Sequence, residues 1–145
     1  MKNYALTLLA FIALSFTAMS QEKAEKAVPA PALAKAAFNK SFAGATKVKW
    51  EKEKNDYEVN FEQNGKKMSA VYDSKGTLKE TETEIKVAEL PATAVDYIKQ
   101  HYKGNLPTGA AKITDAAGVV TYEAELKGKD VIFDASGKFI REAKD

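Results

Sequence analysis

The chain has 145 residues, with 22 Lys+Arg against 20 Asp+Glu and a single histidine. Opposite charges are interleaved and no basic block occurs, which argues against nucleic-acid or polyanion binding. Cysteine is absent, which excludes disulfides, a thiolate nucleophile and a cysteine-based metal site.

The N-terminus carries an export pattern. Lys2 is a short positive region, residues 4–16 are apolar apart from Thr7 and Ser15, and Ala18 and Ser20 are small residues ahead of Gln21. That order predicts a secretory signal peptide over residues 1–20. The apolar run is too short to span a bilayer, and no later run is longer, so the mature chain is expected to have no membrane span. Residues 21–30 are polar and Ala-rich and predict a disordered tether.

Residues 31–145 read as one domain made of two repeats, 31–85 and 90–145. Pro31, Ala34, Phe42 and Gly44 recur as Pro91, Ala94, Tyr102 and Gly104. A tandem repeat sets architecture before local propensity does. Each copy opens with a helix. Leu33, Ala37, Phe38 and Phe42 form the apolar stripe of the first; Ala94, Val95, Ile98 and Tyr102 form that of the second. A proline stands at each start and a glycine at each left-handed cap, Gly44 and Gly104.

After each helix the period changes from 3.6 to 2. Val48 and Trp50, then Tyr57, Val59 and Phe61, alternate with polar residues. Asn64-Gly65 predicts a two-residue hairpin between residues 57–63 and 66–73. Asp73-Ser74-Lys75-Gly76 predicts a turn into a fourth strand, 77–85. The second copy predicts strands near 111–114, 119–126, 130–134 and 138–142, with Asp134-Ala135-Ser136-Gly137 repeating the turn. In both Asp-x-x-Gly turns the aspartate is expected to bind backbone N–H groups, because neither turn carries the ligand set of a calcium loop.

The predicted fold is therefore α+β: helix plus four antiparallel strands, twice. Tyr57, Val59, Phe61, Tyr122, Ala124 and Leu126 should face the helices. Glu58, Asn60, Glu62, Glu123 and Glu125 should face out. Stacking two sheets through those carboxylates would bury charge, which excludes a sandwich and leaves an open sheet with helices on one side. Each copy alone is too small for a secure core, so the two should pack as one unit.

Taken together, Trp50, Tyr57, Val59, Phe61, Tyr72, Asp73, Gly76, Leu90, Pro91, Tyr97, Ile98, Tyr122, Leu126, Phe133, Asp134 and Gly137 resemble the PepSY-like family of exported bacterial proteins, also described as β-lactamase-inhibitor-like. The resemblance covers about residues 33–145. It implies a periplasmic or secreted domain of tandem helix-plus-sheet units without known catalysis. The inhibitor that gives the family its name holds β-lactamase across a concave sheet. This chain lacks that inhibitor's disulfides, and its only arginine is Arg141, so β-lactamase inhibition is not expected of it.

No catalytic constellation is evident. His101 has no correctly spaced partner, since Asp96 lies five residues away, and is expected at the surface of a helix end. Glu58, Glu62, Glu123 and Glu125 read as a solvated face that blocks stacking. Thr81, Glu82, Thr83 and Glu84 read as an edge strand protected by charge, or as a docking edge. The leading expectation is an exported, non-enzymatic envelope protein, without cofactor or metal. It would bind another protein or peptide through its sheet face (Glu58, Asn60, Glu62, Glu123, Glu125) or edge. The alternative is a periplasmic small-ligand or ion-binding module with a pocket lined by Trp50, Tyr57 and Tyr122.

Overall fold

The computed structural model describes residues 29–144. The expected signal peptide, residues 1–20, and all but the last two residues of the expected tether, 21–30, lie outside the described residues. Ala30, the last of them, is buried.

Both helices start and stop by the same chemistry. Helix α1 spans Ala32–Ser41 and α2 spans Ala92–His101. Pro31 and Pro91 stand just before them at φ −54° and −53°, where a missing N–H costs nothing. At the other end Phe42 N–H donates to the Phe38 carbonyl, and Tyr102 N–H to that of Ile98, each at 2.8 Å. Gly44 and Gly104 then turn at φ +86° and +79°, a region open mainly to glycine. Each helix buries a narrow stripe: Ala34 and Phe38 on α1, Ala94 and Ile98 on α2. Leu33, placed in the stripe by spacing, is instead 62% exposed; the helix is rolled so that the Ala34–Phe38 line meets the sheet.

Eight strands follow in chain order: β1 (Thr46–Glu53), β2 (Asp56–Gln63), β3 (Lys66–Tyr72), β4 (Leu78–Ile85), β5 (Gly109–Asp115), β6 (Val120–Leu126), β7 (Lys129–Asp134) and β8 (Phe139–Ala143). A 3-10 turn, Val87–Glu89, precedes α2. Every strand pairs antiparallel with its sequence neighbour, so one sheet runs from β1 to β8 without a crossover. Asn64 and Gly65 both take positive φ (+54° and +75°) in the β2–β3 hairpin, as a two-residue primed turn requires.

Helices occupy one face of this sheet. Under α1, Phe38 packs with Val59, Phe61, Ala70 and Tyr72. Its ring lies edge-on to Phe61 at 5.0 Å and to Trp50 at 5.7 Å between centroids. Under α2, Leu90, Ala94 and Ile98 pack on Ala124, Leu126, Val131 and Phe133. The two clusters belong to one sheet because β4 pairs with β5 over six register positions, from Glu80 opposite Asp115 to Ile85 opposite Ala110. Thr81–Glu84 is therefore interior, neither a charge-protected edge nor a docking edge. The edges are β1 and β8. The reason is long-range: the two halves join through strands whose sequence looks like an edge.

Candidate functional site

Side chains alternate across a strand, so the register assigns each residue to a face. Val59, Phe61, Ala70 and Tyr72 lie under α1, and their neighbours Glu58, Asn60, Ser69 and Val71 take the opposite, helix-free face. Followed across the sheet, that face carries Glu80, Glu82 and Glu84 on β4, then Ala111 and Ile113 on β5. Beyond them stand Glu123 and Glu125 on β6, Asp130 and Ile132 on β7, and Arg141 on β8.

Part of this face is buried, although neither helix cluster includes it. Val71, Ala111, Ile113 and Ile132 all lie below one-tenth exposure, and so do Ser69, Asp130 and Glu123, the last at 3%. Among the described residues both helices and their clusters lie on the other face. Such burial acts on the acids. Desolvation, reinforced by the neighbouring carboxylates Glu82, Asp130 and Glu125, pushes Glu123 up to about 9. Desolvation and then Glu58 raise Glu82 to about 8. Desolvation and then Glu53 raise Glu80 to about 7. Arg141 opposes the shift at Glu80 and Glu123 but is outweighed. Three carboxyls thus hold protons near neutrality for two causes, lost hydration and crowding by like charge.

Cations gather at the rim rather than the middle. Lys47 pairs with Glu62 at 2.8 Å, Lys49 with Glu51 at 2.5 Å and Lys67 with Glu84 at 3.5 Å. None of the ion pairs among the described residues reaches Glu80, Glu82 or Glu123. One oxygen of Glu80, Oε1, is buried without a hydrogen bond.

The five residues proposed from sequence share this face but do not form one cluster. Glu58, Asn60 and Glu62 are on β2, while Glu123 and Glu125 are on β6, four strand spacings or about 19 Å away. Glu62 is a rim residue held by Lys47. Glu123 is not a solvated carboxylate, as its alternation suggested, but a buried one. Glu80 and Asp130 were not among the sequence candidates, and Glu82 entered only within the expected edge Thr81–Glu84. The alternation of Glu80, Glu82 and Glu84 was the available signal, and it becomes legible only when β4 is known to be interior.

Other candidates resolve into structural roles. His101 is exposed at the C-terminal end of α2, its ring stacked on Tyr97 at 4.1 Å. In the turns, Asp73 Oδ1 accepts from the N–H groups of Lys75 and Thr77 at 2.8 and 2.9 Å. Asp134 Oδ1 accepts from those of Ser136 and Lys138 at 2.8 and 3.0 Å. A third such turn, unrecognised in the sequence, has Asp115 Oδ1 accepting from Ala117 and Val119 N–H. Among the described residues no group of three or more His, Asp or Glu is arranged to hold a metal ion. Trp50 packs in the α1 cluster and Tyr122 in the α2 cluster, so the expected pocket of Trp50, Tyr57 and Tyr122 is not assembled. A shallow open hollow of about 520 Å³ lies elsewhere, where Thr93 and Tyr97 of α2 meet Ser136–Phe139.

Fold and site define a class: a single antiparallel sheet with both helices on one side and a carboxylate-lined face on the other. The family follows from sequence. The profile of the family described as "Putative beta-lactamase-inhibitor-like, PepSY-like" matches residues 19–80 and again 66–141, and the chain belongs to that family. No curated protein sequence matches. Solved structures share the fold. A "putative periplasmic" protein of Bacteroides eggerthii is 15% identical with a TM-score of 0.72, over 79% of this chain and 88% of that one. A DUF2874 family protein of Bacteroides uniformis is 20% identical with a TM-score of 0.71, over 79% and 89%. A BLIP-like protein of Bacteroides fragilis is 19% identical with a TM-score of 0.65, over 81% and 87%. At these identities the likeness concerns the fold.

Proposed function

We propose that this chain is an exported, non-enzymatic protein that binds another protein or peptide through the helix-free face of its sheet. One observation carries the reading: in the middle of that face Glu123 is buried, at 3% exposure, and none of the ion pairs among the described residues reaches it. Burying such a carboxyl is unfavourable, and a partner's cation would relieve it. Export is supported by the signal pattern of residues 1–20 and by the periplasmic description of a relative of the same fold. The duplicated helix-plus-four-strand unit would be what makes the face broad, and the two overlapping family matches support that duplication.

The test is cross-linking in the envelope followed by capture. The native protein is compared with a variant carrying Glu58→Lys, Glu62→Lys and Glu125→Lys, all outside the buried set and checked for native circular dichroism. A protein captured by the first and lost with the second is expected. A captured set identical for both would remove the face from the function. The small-ligand alternative rests on the α2 hollow, and a thermal-shift screen that stabilised the native chain but not Phe139→Ala would favour it.

A further inference from the structure

We infer that the β4–β5 seam is a pH-operated joint between the two halves of the sheet. It is closed while the carboxyls facing it carry protons, and it opens from its Glu80–Asp115 end as they ionise, each half staying folded under its own helix. The joint is separate from partner binding on the helix-free face, and either can fail without the other.

At the seam the halves meet without a shared core. The α1 and α2 clusters have no residue in common. Six register pairs cross the seam: Glu80–Asp115, Thr81–Thr114, Glu82–Ile113, Thr83–Lys112, Glu84–Ala111 and Ile85–Ala110. Only the last pairs two apolar residues, and both of those pack in the α2 cluster. Pairs within the halves differ. Val59 faces Ala70 and Phe61 faces Met68 on β2–β3, while Ala124 faces Val131 and Tyr122 faces Phe133 on β6–β7. The seam therefore depends mainly on main-chain hydrogen bonds, whose net contribution is small because water can replace them. It is also polarised. Ile85–Ala110 closes one end, where the chain continues from β4 into the 3-10 turn. The other end sets Glu80 directly against Asp115, and Glu80 Oε1 is buried without a hydrogen bond.

Acids of the two halves crowd one another across this seam. Glu80 is acted on by Glu53 of β1 and Glu58 of β2 from its own half, and by Asp115 of β5 and Arg141 of β8 from the other. Glu82 is acted on by Glu58 and Glu80 from its own half, and by Glu125 of β6 and Asp130 of β7 from the other. Glu123 meets Glu82 across the seam, with Glu125, Asp130 and Arg141 on its own side. Nearby lysines are engaged elsewhere: Lys67 of β3 with Glu84, and Lys79 with Asp56 of β2. Lys112 of β5 stands opposite Thr83 and Tyr122, on the side of the helices, and both helix clusters lie on that side too.

While protonated, these carboxyls are neutral and the strand pairing stands. Once ionised, they repel across it, and like charges facing each other on neighbouring strands are destabilising. Linkage sets the direction. Glu80, Glu82 and Glu123 keep their protons to about 7, 8 and 9 in the closed sheet. An open seam rehydrates them and binds fewer protons, so its population grows with pH, by up to about tenfold per pH unit for each proton released.

The chain has no cysteine, so paired spin labels can be placed on the full-length protein. Lys40→Cys on α1 with Lys99→Cys on α2 spans the seam. Lys40→Cys with Lys66→Cys stays within the first half, and all these positions are exposed. Double electron–electron resonance is recorded at about pH 6 and about pH 9.5. The expected result is a spanning distance that is narrow at the lower pH and lengthens and broadens at the upper, with the within-half distance unchanged. Glu80→Gln, Glu82→Gln and Glu123→Gln together, checked for native circular dichroism, should keep the spanning distance narrow at both. If that variant does not fold, Glu82→Gln alone should reduce the broadening. Amide exchange, corrected for its intrinsic pH dependence, should show Thr81 and Thr114 losing protection before Phe38 and Ile98. A spanning distance unmoved by pH overturns the joint. So does a change shared by both label pairs, or protection lost at Thr81 and Ile98 together, since either reports loosening of the whole domain. A response that persists undiminished in the glutamine variants removes the carboxyls as its cause and overturns the proposal as well.

Discussion

Gly109 and Glu125 stand opposite each other in the β5–β6 register, and a Cβ at position 109 would collide with the Glu125 carboxyl. The glycine is thus a recess for an acid, one strand from the sheet centre. Its φ needs no glycine, because 109 is not among the positive-φ residues; the constraint is space alone. Gly109→Val should displace the Glu125 side chain from above the glycine and cost about 1–3 kcal/mol, the usual range for overpacking. Urea denaturation checks the cost. In Glu125→Ala the same valine should be nearly neutral, and a double-mutant cycle isolates that coupling.

The crowded acids invert the usual pH dependence. Glu80, Glu82 and Glu123 have folded values of about 7, 8 and 9 against an ordinary 4.5. A carboxyl whose folded value is raised binds more protons folded than unfolded, so stability is fully present below about 4.5 and falls as pH rises through the folded values. Asp73, Asp134 and Glu142 act the other way. Their values are lowered, first by the Thr77 N–H at Asp73, by Ser136 at Asp134 and by the Tyr102 hydroxyl at Glu142. Their contribution is present above 3.8–4.5 and is lost on acidification. The midpoint of thermal unfolding should therefore peak near pH 5 and drop by about 5–10 °C by pH 9, at roughly 4 °C per kcal/mol for a domain of this size. Differential scanning calorimetry across that range measures it. Glu123→Gln should flatten the alkaline limb, and a stability maximum at pH 8 would contradict the assigned burial.

The elements were legible because their signals are local. Pro31 and Pro91, Gly44 and Gly104, Asn64-Gly65, and the turns at Asp73 and Asp134 each encode their geometry within a few residues. The helix-facing set Tyr57, Val59, Phe61, Tyr122, Ala124 and Leu126 followed from period alone. What escaped was long-range. Thr81–Glu84 reads as an edge in sequence and lies beside β5 in the fold. Glu123 reads as solvated and is buried. Both depend on register across the joint between halves, which no local pattern contains. Of the five candidate residues Glu58, Asn60, Glu62, Glu123 and Glu125, only Glu123 is buried in the fold.

The joint also predicts cooperativity. Trp50, the only tryptophan, reports on the α1 cluster, while Ile98 anchors the α2 cluster. Ile98→Ala should cost about 2–5 kcal/mol as a core truncation. If β4–β5 pairing makes one folding unit, Trp50 fluorescence and far-ultraviolet circular dichroism should shift together in urea. A Trp50 transition unmoved by Ile98→Ala would show that the halves unfold independently. Phe38→Ala, at about 3–5 kcal/mol, should move both signals in the same way.

The two Asp-x-x-Gly turns are docking points for the helix starts. Gly76 lies against the Leu33 carbonyl of α1, and Gly137 against Pro91, Thr93 and the Ala94 amide of α2. The Thr93 hydroxyl donates to the Ser136 carbonyl beside it. Both glycines also hold positive φ, +84° and +83°. Alanine would thus meet strain and backbone collision at once, and backbone cannot rotate aside as a side chain can. Gly76→Ala and Gly137→Ala should each cost more than the about 1 kcal/mol typical of conformation alone, whereas Gly118→Ala, at φ +79° with nothing within 4 Å of its Cβ, should cost only that conformational part. Comparing the three by urea midpoint separates helix docking from turn strain. Equal losses at all three would show that the helices do not lean on these turns.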